Sequence, residues 1–245
     1  MTTRDWVGKK YWLVGASEGL GAALAQRLSS AGAEVIVSAR SADVLAEVAT
    51  ALPGAARAVV VDVQDDESVI KAAAEIGPVD GVVLLAGAYW PFGAKEWNAE
   101  QGVTMADVNF TGFMRVLGQV VPGMVERDSG HIVVTSSLAG FRGLPRSIGY
   151  SASKAATMSL AESMYADLRK TGVDVQLANP GFIRTRLTAK NNFNMPFIME
   201  PEVAAQEIFE LMNSDSFKKS FPLGFSLLFR AAQFLPDALY YRIFK

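Results

Sequence analysis

Short apolar runs alternate with segments of helical pattern along most of the chain, and this alternation limits the choice of fold more than any other feature. We predict strands at residues 11–14, 35–37, 58–63, 81–85, 131–135 and 173–178. Between them we predict helices at residues 22–31, 42–51, 66–76, 106–125 and 150–168. Such alternation is typical of α/β proteins, in which right-handed crossovers build a doubly wound parallel sheet with helices on both faces.

The chain becomes less regular beyond residue 181. Residues 184–197 form a polar and aromatic connection, and Glu200-Pro201-Glu202 indicates a helix start, because proline suits the first turn and the dipole favours acids there. Residues 217–245 are an apolar and aromatic tail with short helical pieces around Pro222 and Pro236. Because the chain shows no linker, internal repeat or low-complexity stretch, we predict a single domain over residues 1–245.

Composition excludes several kinds of site and partner. The formal charge of −2 argues against a nucleic-acid binder, which usually presents a basic face. The absence of cysteine excludes disulfides, thiolate metal sites and cysteine nucleophiles. The single histidine, His131, removes histidine-rich metal sites and weakens any Ser-His-Asp proposal. It begins a buried strand, so we interpret it as a structural or surface residue, and we predict no metal site.

The sequence shows no targeting signal, so we expect a cytoplasmic protein. Residues 1–10 carry charges without an apolar signal region, and no apolar run reaches the roughly 20 residues that span a bilayer. The tail at 217–245 suits a subunit interface, a cover for a pocket, or an element lying on a membrane surface. We favour protein contact, because Pro222 and Pro236 break the long amphipathic helix that a membrane anchor would use.

A glycine-rich turn, Gly15-x-x-x-Gly19-x-Gly21, joins the first predicted strand to the first helix. Glycines permit a tight turn and let a pyrophosphate approach the backbone, where a helix N-terminus offers amide donors. This pattern predicts a dinucleotide site in a Rossmann-type sheet. A plain strand–helix turn is the alternative, because the spacing differs from the common G-x-G-x-x-G.

The end of the second strand bears on the choice of dinucleotide. It reads Ser38-Ala39-Arg40, where folds that bind NAD commonly place an acid on the ribose 2′-hydroxyl. An arginine in place of that acid suits a 2′-phosphate through charge-assisted hydrogen bonds. A solvated surface arginine is the alternative interpretation of Arg40.

Tyr150 and Lys154 lie four residues apart in the predicted helix 150–168, so both side chains point toward one small volume. A nearby cation favours the phenolate, which a phenol needs to act as an acid or base near neutral pH. Ser137 follows the fifth strand and can meet the same face of that helix. Asn109 lies inside a helical stretch that disfavours asparagine, so a cap or a functional contact explains it.

Together these residues resemble the short-chain dehydrogenase/reductase family, in its shorter, non-extended subgroup. The resemblance covers roughly residues 9–187 and rests on several ordered motifs. They are the glycine turn, Ser137 thirteen residues before Tyr150, Lys154 four residues after it, and Pro180-Gly181 after the sixth strand.

The resemblance implies a catalytic tetrad of Asn109, Ser137, Tyr150 and Lys154. Tyr150 would exchange a proton with the substrate oxygen, which Ser137 would hold and polarise. Lys154 would bind the nicotinamide ribose and lower the tyrosine pKa, while Asn109 would position a water in a proton relay to Lys154.

The resemblance also implies a cofactor site, with Asp62 and Val63 near the adenine, Thr185 on the nicotinamide carboxamide, and Arg40 selecting NADP over NAD. The predicted cofactor residues are Gly15, Ser17, Gly19, Leu20, Gly21, Arg40, Asp62, Val63, Gly87, Tyr150, Lys154, Ile183 and Thr185. A variable lid is implied at about 184–200. There Phe193, Met195 and Phe197 suit an apolar substrate pocket or core packing equally. Trp90, Pro91 and Phe92 suit either the substrate mouth or the core, and Phe141, Arg142 and Leu144 are similar candidates for the pocket wall.

Four positions depart from the family pattern. The family usually has threonine where this chain has Val14, and Asn-Asn-Ala-Gly where it has Leu84-Leu85-Ala86-Gly87. In the family that threonine bonds to the second asparagine, and leaving one partner of such a pair orphaned costs about 1–3 kcal/mol. We therefore predict that Val14 and Leu85 pack together as a paired replacement. Glu18 stands where some NADP-binding members have a basic residue, and an acid near a 2′-phosphate is unfavourable unless it points away.

The predicted function is that of an NADP-dependent oxidoreductase interconverting a carbonyl and a secondary alcohol of a small molecule. The chain is expected to form a homo-dimer or homo-tetramer, as is usual for the family. A nucleotide-binding regulatory or scaffold protein without catalysis is the alternative, and the complete tetrad argues against it. An epimerase or dehydratase fits less well, because such relatives usually have a different glycine spacing and a longer substrate domain.

Overall fold

The computed structural model describes residues 4–244, and one parallel sheet of seven strands forms its centre. The strands are β1 Lys10–Val14, β2 Glu34–Ala39, β3 Ala56–Val60, β4 Gly81–Leu84, β5 Gly130–Thr135, β6 Val173–Pro180 and β7 Lys218–Phe221. They pair in the order β3-β2-β1-β4-β5-β6-β7, and every pair is parallel. The strand order reverses between β1 and β4, and open α/β sheets bind ligands above such a switch point.

Helices cover both faces of this sheet. They are α1 Gly19–Ser30, α2 Ala42–Ala51, α3 Asp66–Ile76, α4 Ala99–Ala106, α5 Gly112–Glu126, α6 Ile148–Leu168, α7 Pro201–Met212, α8 Leu223–Ala232 and α9 Asp237–Ile243. Helices α1, α2 and α7 contribute to the core on one face, and α3, α5 and α6 contribute to the core on the other. The predicted α/β, doubly wound fold is confirmed.

The sequence of β1 explains why two cores form. Tyr11 and Leu13 enter one core while Trp12 and Val14 enter the other, because successive side chains of a strand point to opposite faces. All four are at least 99 % buried, as expected for a strand covered on both sides. Burying a side chain such as Leu13 stabilises the fold by about 1.5–3 kcal/mol.

Two elements differ from the sequence prediction. The helix predicted at 106–125 begins earlier, as α4, and a π-helical turn at Asp107–Thr111 separates α4 from α5. The seventh strand, β7, was not predicted, because Lys218-Lys219-Ser220-Phe221 lacks an apolar run. It lies at the sheet edge, where lysines are common because they discourage pairing with other chains.

The expectation that Val14 and Leu85 pack together is wrong. Val14 is in register with Leu84, and both belong to the core that α3, α5 and α6 cover. Leu85 follows β4 and packs against the opposite core, although its amide donates to the Val14 carbonyl at 2.8 Å. One position along a strand reverses the side-chain direction, so the apolar neighbour of Val14 on β4 is Leu84.

The tail, predicted at 217–245, comprises β7, α8 and α9 and is fastened to the loop after β5 by Arg142. The guanidinium of Arg142 donates to the Leu235 carbonyl at 2.6 Å, pairs with Asp237, and lies 4.0 Å from the centre of the Tyr240 ring. Arg142 therefore binds the tail rather than forming a wall of the cleft described below. Within residues 4–244, no helix is both long and apolar enough to cross a membrane.

His131 is a buried structural residue, as the sequence indicates. Its Nδ1 lies 2.8 Å from the Tyr11 hydroxyl and its Nε2 lies 2.9 Å from Oε1 of Gln176. The Gln176 amide nitrogen lies 2.8–2.9 Å from three carbonyl oxygens that its two hydrogens can reach, so its oxygen is the acceptor and His131 carries its proton on Nε2. Burial lowers the pKa of His131 to about 3.

This lowered pKa predicts a loss of stability in mild acid. The unfolded chain binds a proton at His131 below about pH 6.5 while the folded chain does not, so stability falls as the pH drops from 6.5 toward 3. Between pH 7.5 and 5.5 we expect His131 to remove about 1.4 kcal/mol of the unfolding free energy. Urea unfolding of the parent and of His131→Gln at both pH values measures this. An equal loss in both proteins would contradict it.

Candidate active site

A cleft with a volume of about 310 Å³ opens above the carboxyl ends of the strands. The loops that follow β1, β2, β3, β4 and β6 line it, together with the start of α6. Its volume lies at the lower end of the range for small-molecule sites. All thirteen predicted cofactor residues line it: Gly15, Ser17, Gly19, Leu20, Gly21, Arg40, Asp62, Val63, Gly87, Tyr150, Lys154, Ile183 and Thr185.

The glycine turn forms one end of the cleft and has no room for side chains. Gly15 has φ +96°, and a Cβ there would lie 2.4 Å from the Ala86 amide nitrogen. A Cβ on Gly21 would lie 2.2 Å from the Gly15 carbonyl oxygen. The N-cap residue of α1, Glu18, makes no side-chain cap, so no side chain occupies the amide donors of the first turn. This bare helix start fits the phosphates of a dinucleotide.

Two charged residues at the cleft differ in their pairing. Glu18 accepts a hydrogen bond from Arg186, which follows β6, so its charge is compensated. Arg40, just beyond β2, is exposed and has no hydrogen-bond or ion-pair partner in the described part of the chain. The negative charge at Glu18 is thus compensated by Arg186, whereas the positive charge at Arg40 is available to a ligand.

Tyr150 lies in the first turn of α6, at the floor of the cleft. Its side chain interacts with that of Ser137, which follows β5, is buried, and donates to the Pro180 carbonyl at 3.5 Å. Burial raises the pKa of Tyr150 to about 12, while the interaction with the Ser137 hydroxyl acts to lower it. The predicted meeting of Ser137 with Tyr150 is confirmed.

Lys154 lies one turn further along α6 and is 4 % exposed. Its ammonium donates to the Thr135 carbonyl at 3.0 Å and lies 5.8 Å from the centre of the Tyr150 ring. Burial lowers its pKa to about 8, because the interior disfavours the charged form. The backbone around it is fixed by Ser136, whose hydroxyl donates to the Lys154 carbonyl at 2.6 Å.

Asn109 lies in the π-helical turn between α4 and α5 and is fully buried. Its amide oxygen accepts from the Ala88 amide at 2.7 Å, and its nitrogen donates to the Ala88 carbonyl at 3.0 Å and to Ser153 at 2.9 Å. Asn109 therefore ties the loop after β4 to α6, which carries Tyr150. It does not line the cleft itself. The contact expected for an asparagine in a helix is present, and the water relay stays a prediction.

The structure also shows where the residues lie that suit either a substrate pocket or the core. Trp90 lines the cleft, whereas Phe92 is 5 % exposed and belongs to the interior. Phe193 and Phe197, in the predicted lid, are at least half exposed and contact Phe182 and Phe225 through their rings.

Sequence reasoning missed two residues at this site. Arg186 was missed because its partner, Glu18, is 168 residues away in the chain. Tyr89, whose ring lies 5.0 Å from that of Tyr150, was also missed. Its place two residues beyond Gly87, at the end of a central strand, is the signal that indicates it. In the described residues, no group of three or more His, Cys, Asp or Glu side chains is arranged to hold a metal ion.

Comparisons with known proteins agree with this geometry. The family model described as short chain dehydrogenase matches residues 9–195. An uncharacterized oxidoreductase of Myxococcus xanthus is 38 % identical over 237 residues, covering 93 % of each chain. Another, of Staphylococcus saprophyticus, is 34 % identical over 202 residues, covering 79 % of this chain and 86 % of its own.

Solved structures have the same fold. A short-chain dehydrogenase from Streptomyces avermitilis is 27 % identical, with a TM-score of 0.83 over 96 % of each chain. An actinorhodin polyketide ketoreductase variant, determined with NADPH, has a TM-score of 0.82 over 92 % of this chain and 99 % of its own; at 24 % identity it shows the fold alone. The chain belongs to the short-chain dehydrogenase/reductase family and is an oxidoreductase of that type.

Proposed function

We propose that this oxidoreductase uses NADP to interconvert a carbonyl group and a secondary alcohol. The observation that carries the proposal is the Tyr150 hydroxyl, which lies beside Ser137 and lines a cleft with a bare glycine turn at its end. A phenol and a hydroxyl side by side suit one substrate oxygen. The family binds NAD or NADP, so a nucleotide in the same cleft is expected.

In this proposal each residue of the site has a separate role. Ser137 holds the substrate oxygen, and Tyr150 gives it a proton in reduction or takes one in oxidation. Lys154 binds the ribose and, below its pKa of about 8, contributes a positive charge near the phenol. The bound nucleotide supplies or accepts the hydride. Asn109 keeps α6 in register with the loop after β4, which fixes the direction of the Tyr150 hydroxyl.

The preference for NADP rests on Arg40. A free, exposed guanidinium at the end of β2 suits a 2′-phosphate, because the two groups form charge-assisted, bidentate hydrogen bonds. No acid stands beside it in the sequence Ser38-Ala39-Arg40 to bind a ribose 2′-hydroxyl. The ion pair of Glu18 with Arg186 compensates the negative charge that would otherwise repel the phosphate.

An Arg40→Gln variant tests this preference. We expect its KM for NADPH to rise about 10- to 100-fold, since hydrogen bonds to charged groups contribute roughly 1.5–3 kcal/mol, while its KM for NADH changes little. Steady-state kinetics with both cofactors over a panel of aldehydes and ketones measures this. Arg169→Gln, which removes the same charge beyond the far end of α6, is the control.

Two outcomes would contradict the proposal. An equal effect of Arg40→Gln on NADPH and NADH would remove the assignment of Arg40 to the 2′-phosphate. Tight NADPH binding without turnover of any carbonyl compound would favour a nucleotide-binding protein that has lost catalysis.

A further inference from the structure

Tyr89 stands between the proton-transfer group and the segment that follows β6. Its ring lies edge-on to the ring of Tyr150, with centres 5.0 Å apart and planes at 77°. This is a favoured arrangement of two aromatic rings, because the positive edge of one meets the negative face of the other. The neighbours of Tyr89 on both sides, Ala88 and Trp90, line the cleft.

The backbone on both sides of Tyr89 is held in place. Asn109 accepts a hydrogen bond from the Ala88 amide at 2.7 Å and donates one to the Ala88 carbonyl at 3.0 Å. The Trp90 amide donates to the Met105 sulfur at 3.4 Å. The same Asn109 amide bonds to Ser153 on α6, the helix of Tyr150. The ring of Tyr89 is therefore positioned relative to Tyr150 by a fixed backbone.

The hydroxyl and the carbonyl of Tyr89 bind residues 188–191, which lie in the segment predicted to be a lid. The Tyr89 hydroxyl donates to Oδ1 of Asn191 at 2.8 Å. Lys190 donates to the Tyr89 carbonyl at 2.8 Å, and its ammonium lies 4.1 Å from the centre of the Trp90 ring. Three contacts thus join the loop after β4 to this segment, next to the cleft.

We propose that Tyr89 is a positioning residue for the reaction, holding the Tyr150 ring in place with its own ring and the 188–191 segment over the substrate with its hydroxyl. This inference rests on the proposed function, because it assigns Tyr89 a part in the same proton transfer. The two parts are separable, since the ring contacts Tyr150 and the hydroxyl contacts Asn191.

The charged and titratable groups near this pair are few. Lys154 lies on the helix of Tyr150, Tyr89 itself comes from the loop after β4, and Lys190 from the segment after β6. The charge of Arg146, before α6, also reaches Tyr89. Burial raises the pKa of Tyr150, and the Tyr89 ring packs against that side chain, so removal of the Tyr89 ring should let water in and lower that pKa.

Two variants separate the hydroxyl from the ring. Tyr89→Phe keeps the ring and loses the bond to Asn191, so we expect the KM for the carbonyl substrate to rise about 3- to 10-fold with kcat nearly unchanged. Tyr89→Leu also loses the ring, so we expect kcat to fall about 10-fold. The pH midpoint for alcohol oxidation should move to lower pH in Tyr89→Leu and stay in place in Tyr89→Phe.

A double-mutant cycle with Asn191→Ala tests the fastening directly. If the bond acts as described, Tyr89→Phe combined with Asn191→Ala raises the KM no more than either change alone. Tyr165→Phe, on the exposed part of α6, is the matched control and should leave both constants unchanged. Melting temperatures close to that of the parent would show that the conservative variants fold.

Additive effects in the cycle, or a pH midpoint that does not move in Tyr89→Leu, would overturn the inference. Its failure is distinguishable from failure of the proposed function. If Tyr150→Phe is inactive while the cycle is additive, only the role of Tyr89 is lost. If Tyr150→Phe retains turnover, the proposed proton transfer itself is wrong.

Discussion

A Tyr150→Phe variant is expected to lose at least about a thousand-fold in kcat, equivalent to roughly 4 kcal/mol in the activation barrier, while binding NADPH nearly as well as the parent. The change removes one oxygen and leaves the ring in place. The edge contact with Tyr89 is therefore preserved, and so is the position of α6. What disappears is the hydroxyl proposed to exchange a proton with the substrate, together with its interaction with Ser137.

The measurement combines turnover of a carbonyl substrate with NADPH titration by fluorescence. Tyr165→Phe removes a phenol oxygen from the same helix, at a place where the ring stacks on Phe217, and should retain full activity. A comparable loss in both variants would point to a general effect on α6. Retained turnover in Tyr150→Phe would refute the assignment of Tyr150 as the acid or base.

The second large effect is expected at the glycine turn. Gly15→Ala should lower the unfolding free energy by about 2–5 kcal/mol, since overpacking costs roughly 1–3 kcal/mol and a left-handed conformation costs about 1–2 kcal/mol more. The added Cβ would lie 2.4 Å from the amide nitrogen of Ala86, where β1 and β4 leave the sheet side by side. Both partners in this contact are backbone, so the clash can be relieved only if the ends of β1 and β4 move apart.

Gly8→Ala is a matched control for this experiment. Gly8 also has a positive φ, +70°, but a Cβ there would meet nothing within 4 Å. The unfolding free energy of Gly8→Ala should fall by about 1–2 kcal/mol, from the backbone conformation alone. Urea unfolding of the three proteins gives the difference. Equal losses would mean that the close approach to Ala86 carries no cost.

Patterns that lie close together in the sequence predicted much of the fold. The six predicted strands are short runs of apolar residues, and both their order along the chain and their parallel arrangement follow from the helices between them. The helix of Tyr150 was expected at 150–168 and is observed at Ile148–Leu168. Helices α2 and α3 have the predicted limits, and for α3 capping residues mark both ends, Asp65 at the start and Gly77 at the end.

Elements without a local pattern were not predicted. The edge strand β7 has two lysines in four residues, and only its pairing with β6 makes it a strand. The π-helical turn at Asp107–Thr111 also lacks a sequence signal, although Asn109 within it is a residue that a regular helix disfavours.

The candidate site divides in the same way. The spacing of Tyr150 and Lys154 on one helix and the position of Ser137 after a strand were sufficient to predict that they meet. The contacts of Glu18 with Arg186 and of Tyr89 with Asn191 join residues 168 and 102 positions apart, and no single pattern contains both partners. The side-chain direction of Leu85 likewise depended on exactly where β4 ends.

The sequence by itself determined the fold class, the place of the glycine turn and the residues proposed to carry the chemistry, because periodicity and helical spacing act over a few neighbouring residues. The tertiary structure alone decided which charges are paired, leaving Arg40 without a partner among residues 4–244 and Glu18 with one. It also decided that Tyr89 stands between Tyr150 and the 188–191 segment. Both are matters of which loops the strand order brings together at one edge of the sheet.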